Sequence, residues 1–237
     1  MRKGTLVVGA AALTLGALLL EKGRQPLLRR SVAEEPAASV ASADAVLAAL
    51  REGNRRFVSA HLQHRHEDVE RRLALARAGQ HPVAAVLACA DSRCVPEIVF
   101  DQGLGDLFTI RVAGNVIDPA VLGSLEYAVE HLDVPLIVVL GHTDCGAVKA
   151  ALSVRGKPAE LVRLGPSLEF LVERIAPALS DAEASDVPGA VRANARLVAN
   201  EIREHSAVLG ERIQAGRLAV TASVYDVATG EVSILDR

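Results

Sequence analysis

Two short stretches concentrate the residues of this 237-residue chain that could do chemistry: "CADSRC" at 89–94 and "GHTDCGAV" at 141–148. A thiol beside an acid and an arginine admits three readings: nucleophile, redox thiol or metal ligand. Spacing favours the last. His142 and Cys145 stand three positions apart, which a tight turn entering a helix folds onto one point. Each stretch ends an apolar run that follows a proline, "PVAAVLAC" and "PLIVVLGH". Pro82 lies seven positions before Cys89 and Pro135 seven before His142. Two parallel neighbouring strands would then bring Cys89 and His142 to matching heights, about 4.8 Å apart. Zinc takes sulfur at about 2.3 Å and imidazole nitrogen at about 2.0–2.1 Å, so the separation suits it. Cys89, His142 and Cys145 form a candidate ligand set of two thiolates and one imidazole. Structural zinc sites close all four positions, often with CxxC pairs, and no CxxC occurs here. Three ligands leave one position for water, the catalytic pattern.

Asp91 and Arg93 complete the first stretch. An isolated surface pair of this kind is worth little. Beside a metal-activated water, an aspartate held by a guanidinium fork stays ionised and fixed in direction, and can orient the attacking oxygen. Cys94 reads as a buried, inert thiol, because a redox partnership with Cys89 lacks the CxxC spacing. His61, His64 and His66, in "HLQHRHED", sit among charged neighbours and read as a solvated helix entry. Two thiolates and a neutral imidazole cancel the charge of a zinc dication. The expected pull on a water proton is therefore weaker than in a three-histidine site, and activity should rise as pH passes above neutral.

The elements around these stretches alternate. "SADAVLAALREGNRRFVSA" opens with Ser42 or Asp44 as N-cap and carries Val46, Leu47, Leu50 and Phe57 at helical spacing. "EDVERRLALARAGQ" predicts a second helix, stopped by Gly79 and Pro82. The two apolar runs suit strands buried on both faces of a parallel sheet. "DLFTIRVAGNVID" predicts a shorter strand entering a Gly-containing loop, and "PAVLGSLEYAVEHLDV" a helix with Pro119 in its first turn. Helices follow from "CGAVKAALSV" and over about 166–180 and 189–214, before "RLAVTASVYDVATGEVSIL" closes the chain as strand, turn and strand. The fold class is α/β: a central, mostly parallel sheet flanked by helices.

Composition narrows the function further. Half the residues are hydrophobic but 3% are aromatic, with no Trp, so the core is aliphatic. A net charge of −3 and few aromatics exclude a nucleic-acid footprint. Three cysteines do not make a disulfide framework. Residues 1–43 are set apart as a signal peptide or membrane anchor plus linker, leaving 44–237 as the catalytic domain. "MRKG" precedes the apolar stretch Thr5–Leu20, between the usual lengths of a signal core and a spanning helix. The expectation is an exported (periplasmic or extracellular) or membrane-anchored protein, tethered through residues 5–20.

"CADSR" followed by "GHTDCGAV" resembles the paired zinc motifs of the β-class carbonic anhydrases. "EIVFDQGLGDLFTIRVAGNVI", "GSLEYAVEHL" and "SVYDVATGEV" support the likeness, which runs from about Asp44 to the C-terminus. The resemblance implies one zinc ion per subunit on Cys89, His142 and Cys145, with Asp91 and Arg93 as the activating dyad. It also implies reversible hydration of carbon dioxide to bicarbonate and a proton. A resting form in which Asp91 leaves Arg93 for the fourth zinc position is a further implication. So are a late strand added to the sheet, an N-terminal helical arm that embraces a neighbouring subunit, and a homodimer or higher homo-oligomer. Ala90 stands where serine is common, and Cys94 where a small or apolar residue is. Rival readings are a carbonyl sulfide or carbon disulfide hydrolase on the same site and a non-catalytic zinc-bound assembly domain.

Overall fold

The computed structural model describes residues 41–180 and 182–236. Its centre is a sheet of five strands: β1 (Ala84–Ala88), β2 (Leu107–Arg111), β3 (Leu136–His142), β4 (Ala219–Tyr225) and β5 (Val232–Asp236). Their order is β2-β1-β3-β4-β5, with the first four parallel and β5 antiparallel to β4. β1 and β3 are buried along their whole length, the state that unbroken apolar runs encode. Alternation of side chains divides the core in two. Ala85, Leu87, Ile137 and Val139 face one side, and Ala84, Val86, Ala88, Leu136, Val138 and Leu140 face the other.

Helices cover both sides. α1 (Ala43–Val58) lies on the second face through Val46 and Leu50. Ser42 is its N-cap, accepting from the Ala45 amide. α2 (Val69–Ala78) has Asp68 as N-cap and ends on Gly79 at φ +82°, with no buried residue. The short α3 (Pro96–Val99) follows β1. α4 (Pro119–His131), α5 (Gly146–Val154), α6 (Pro158–Val162), α7 (Pro166–Ile175), α8 (Val187–His205) and α9 (Ala207–Gln214) complete the set. α4, α5, α7 and α8 fill the first face.

Three differences from the sequence-based reading have physical causes. The stretch expected as one helix over 189–214 is two, because Ser206 turns extended and caps α9 by accepting from the Leu209 amide. The register pairs Ala88 with Leu140, so Cys89 extends to the level of Gly141 and His142 stands one residue further on. Apolar periodicity encodes burial but not pairing, and a one-residue slip changes the face. The expectation of an exported or membrane-anchored protein is corrected: among the described residues no helix is long and apolar enough to cross a membrane. The longest, α8, carries Arg192, Arg196, Glu201, Arg203 and Glu204, which hydrocarbon would not accept. Thr5–Leu20, on which that expectation rested, lies outside the described residues.

Candidate metal centre and active site

The candidate residues meet at the carboxyl edge of the sheet, where parallel α/β sheets open their crevices. β1 stops at Ala88, and its continuation carries Cys89 between two further backbone bonds, Val112 N–H to the Ala88 carbonyl and Ala90 N–H to the Val112 carbonyl. His142 is the last residue of β3 and fully buried. Cys145 stands at the N-cap of α5. By alternation Cys89 follows the first face and His142, still paired with Tyr225, the second, and the two converge at the carboxyl edge of the sheet. The ligand atoms of Cys89, His142 and Cys145 all lie within 4.8 Å of one another, and no other cluster of three metal-ligating groups occurs among the described residues.

The donor chemistry fits a metal. Sulfurs at about 2.3 Å around a tetrahedral ion stand roughly 3.8 Å apart; Cys89 Sγ and Cys145 Sγ are 4.0 Å apart. Two thiols this close cannot both ionise unaided. The hydrogen bond from Cys145 is the chief cause that lowers the pKa of Cys89. The same contact pushes Cys145 far up. A bound cation removes that conflict. His142 supplies the decisive orphan. Its Nδ1 lies 2.9 Å from the Thr143 carbonyl, to which it donates as N–H, while Nε2 is buried with no hydrogen-bond partner. A buried nitrogen lone pair without a donor is what a metal ligand looks like in the absence of its ion. Burial opposes charge on this ring, but Cys89 and Asp91 outweigh it and raise its pKa.

Asp91 turns on itself to meet Arg93. The Arg93 amide and Nε donate to Oδ1 at 2.9 Å, and the second arm of the fork donates to Oδ2 at 2.8 Å. This fork is the main reason the Asp91 carboxyl lies far below the usual carboxylate range. Asp91 Oδ2 remains 3.9 Å from His142 Nε2, so the carboxylate is fastened behind and faces the ligand set in front. Cys94 points away into the second core face, and burial first, then the charge of Cys89, pushes its thiol up to about 12.

Comparison with known proteins agrees with this arrangement. The family model for carbonic anhydrase matches residues 84–232. Carbonic anhydrase 2 of Mycobacterium tuberculosis is 44% identical over 191 residues, covering 79% of this chain and 90% of that protein. The chain belongs to the β-class carbonic anhydrases. The carbonic anhydrase of Mycolicibacterium smegmatis is 43% identical over 192 residues, covering 78% of this chain and 90% of that one. Among solved structures, the β-carbonic anhydrase CafA of Aspergillus fumigatus has 30% identity and a TM-score of 0.59, covering 81% of this chain and 90% of that one. The protein is therefore an enzyme that hydrates carbon dioxide, and its family implies a metal at the Cys–His–Cys cluster.

Several residues around the site carry no motif. Arg111, at the end of β2 beside Ala88, donates to the carbonyls of Cys89 at 3.1 Å and Asp91 at 2.6 Å, pinning the loop at two points. Asp144, at φ +64°, pairs with Lys149 and stands 3.6 Å from Arg93. The one available signal for Arg111 was its place at the carboxyl end of a strand. His64 pairs with Glu67 and His66 with Asp106 at the surface, away from the cluster.

Proposed function

We propose that residues 44–237 form the catalytic domain of a zinc enzyme. In it Cys89, His142 and Cys145 hold the ion, and Asp91 and Arg93 orient the water that becomes bicarbonate. The observation that carries this reading is the buried, partnerless His142 Nε2, converging with two sulfurs beside an aspartate already fastened to arginine. Zinc, when bound, supplies the Lewis acid that makes a hydroxide nucleophile available near neutral pH. The chain's own residues do the rest. Arg93 occupies both Asp91 oxygens from one side, which keeps the carboxylate charged and a poor proton acceptor. Asp91 can then accept a hydrogen bond from the attacking oxygen without taking its proton, so a lone pair is aimed at the carbon. One oxygen–carbon bond forms, one carbon–oxygen π pair moves onto oxygen, and one proton leaves to buffer.

Stopped-flow hydration of carbon dioxide on the purified protein, with a zinc count, tests the assignment. One zinc per chain and activity that rises above neutral pH are expected. An activity plateau reaching well into acid with the metal retained, or full activity in Asp91→Ala, would overturn it. Carbonyl sulfide assayed alongside should turn over more slowly than carbon dioxide.

A homodimer or higher homo-oligomer is part of the same reading. β2 is an edge strand among the described residues. Beside it Glu97, Ile98, Leu104 and Leu107 line a groove of about 420 Å³, and Ile98 and Leu104 are exposed. An unpaired strand next to exposed apolar side chains suits a second copy of the chain. Sedimentation at micromolar concentration should show no monomer.

A further inference from the structure

α8 buries an almost purely apolar stripe: Ala190, Val191, Ala193, Ala195, Val198, Ala199 and Ile202. Asn194 is the polar exception, 1% exposed. Its Nδ2 donates to the carbonyl of Gly114 at 2.9 Å, while its own Oδ1 finds no partner. A half-satisfied amide in an aliphatic interface costs stability relative to an apolar side chain of the same size. The peptide it grips explains its presence. Gly114 sits at φ +70°, and a Cβ there would lie 2.8 Å from Ile175 Cδ1 and 3.1 Å from Ala147 Cβ. Gly114 is wedged between α7 and α5, and its own N–H, in the peptide on the other side of its Cα from the gripped carbonyl, donates to Cys89 Sγ at 3.3 Å.

We infer that Asn194 is a positioning residue for the metal centre, acting through Gly114 to hold one N–H donor on the Cys89 sulfur. The inference rests on Cys89 being a metal ligand. Donors to a ligand sulfur orient it and set how tightly it grips, and losing such a partner costs about 10–100-fold in metal affinity. A tie between α8 and the loop 80 residues earlier also makes that grip depend on helix packing outside the site.

The test uses the full chain loaded with cadmium-113 or cobalt(II). In the wild type the Gly114 amide proton should show scalar coupling to cadmium-113; its absence, with cadmium bound, overturns the inference. Asn194→Leu should lose that coupling, shift the thiolate-to-cobalt absorption band and release cobalt to a chelator about 10–100-fold faster. Asn194→Gln, which keeps the donor, should restore part of each. Asn54→Leu is the control, because Asn54 is also buried but serves Val99, Gly230 and Val232; it should lower stability and leave the cobalt band unmoved. Should Asn194→Leu fail to fold, the milder Asn194→Ser is read in the same way. Unchanged cobalt spectra and release in a folded variant that has lost the donor would refute the role. Failure of the wild type to bind any metal would instead refute the proposed metal centre.

Discussion

Asp91 and Asp101 are both aspartates gripped by an arginine, ten positions apart in the chain, yet they do opposite work. Asp101 is buried, and its partners come from far away: Arg56 Nε donates at 2.5 Å, the Gln63 amide at 3.0 Å and the His64 amide at 3.3 Å. Each bond spans 37 to 45 residues, so Asp101 ties the end of α1 and the segment after it to the loop beyond α3. Burial pushes its carboxyl up, but these donors outweigh burial and leave it below the ordinary range. Asp91 takes its arginine from two residues away. That pair closes no long loop and removes little chain entropy, and the free side of the carboxylate faces His142. Sequence separation distinguishes a pair that ties distant segments together from one that leaves a carboxylate facing His142.

The largest effect should come from emptying what Asp91 faces. His142→Ala is expected to bring carbon dioxide hydration down to buffer background and lose the metal, while circular dichroism stays that of a folded protein. Next comes Asp91→Asn, with a loss of about 10²–10⁴ in turnover, metal retained, and a urea midpoint close to wild type. A large stability loss there would erase the contrast with Asp101. Asp101→Asn should do the reverse, costing about 3 kcal/mol by leaving Arg56 with only the more distant Glu52 carboxylate, 4.0 Å away, with turnover changed less than roughly threefold.

The contrast has a pH signature. The folded-state pKa of Asp101 is depressed, so its stabilisation is present above the unfolded value near 4 and is lost as pH falls through the folded one. The gap in urea stability between wild type and Asp101→Asn should narrow steadily below about pH 5; a constant gap down to pH 3 would mean the charge is not what holds the loop. The smallest effect belongs to Cys94→Ala. A buried protonated thiol outside the cluster should cost about 1 kcal/mol, with metal content and turnover as in wild type.

The chain order announced the cluster because its members sit at ends of local patterns. Cys89 and His142 close apolar runs, and Cys145 starts a helix three residues on. Asp91 and Arg93 are two apart, so their fork is a local event. The supports were hidden for the opposite reason. Arg111 reaches Cys89 across 22 residues and Asn194 reaches Gly114 across 80, and neither stands in a pattern that marks its partner. The Asp101–Arg56 tie was equally invisible: before folding, both are ordinary charged residues. α2 shows a different gap, since its helical spacing was legible but none of its side chains is buried in the single chain.

By itself the sequence determined an aliphatic α/β domain, the approximate ends of its strands, and which side chains could bind a metal. These properties follow from backbone periodicity and donor chemistry over a few neighbouring residues. Only the tertiary structure decided the register that sets Cys89 one residue behind His142 at the carboxyl edge of the sheet and lets them meet. It also decided which distant side chains pin the loop between them. Those outcomes depend on how whole surfaces pack, and no short stretch of sequence carries that information.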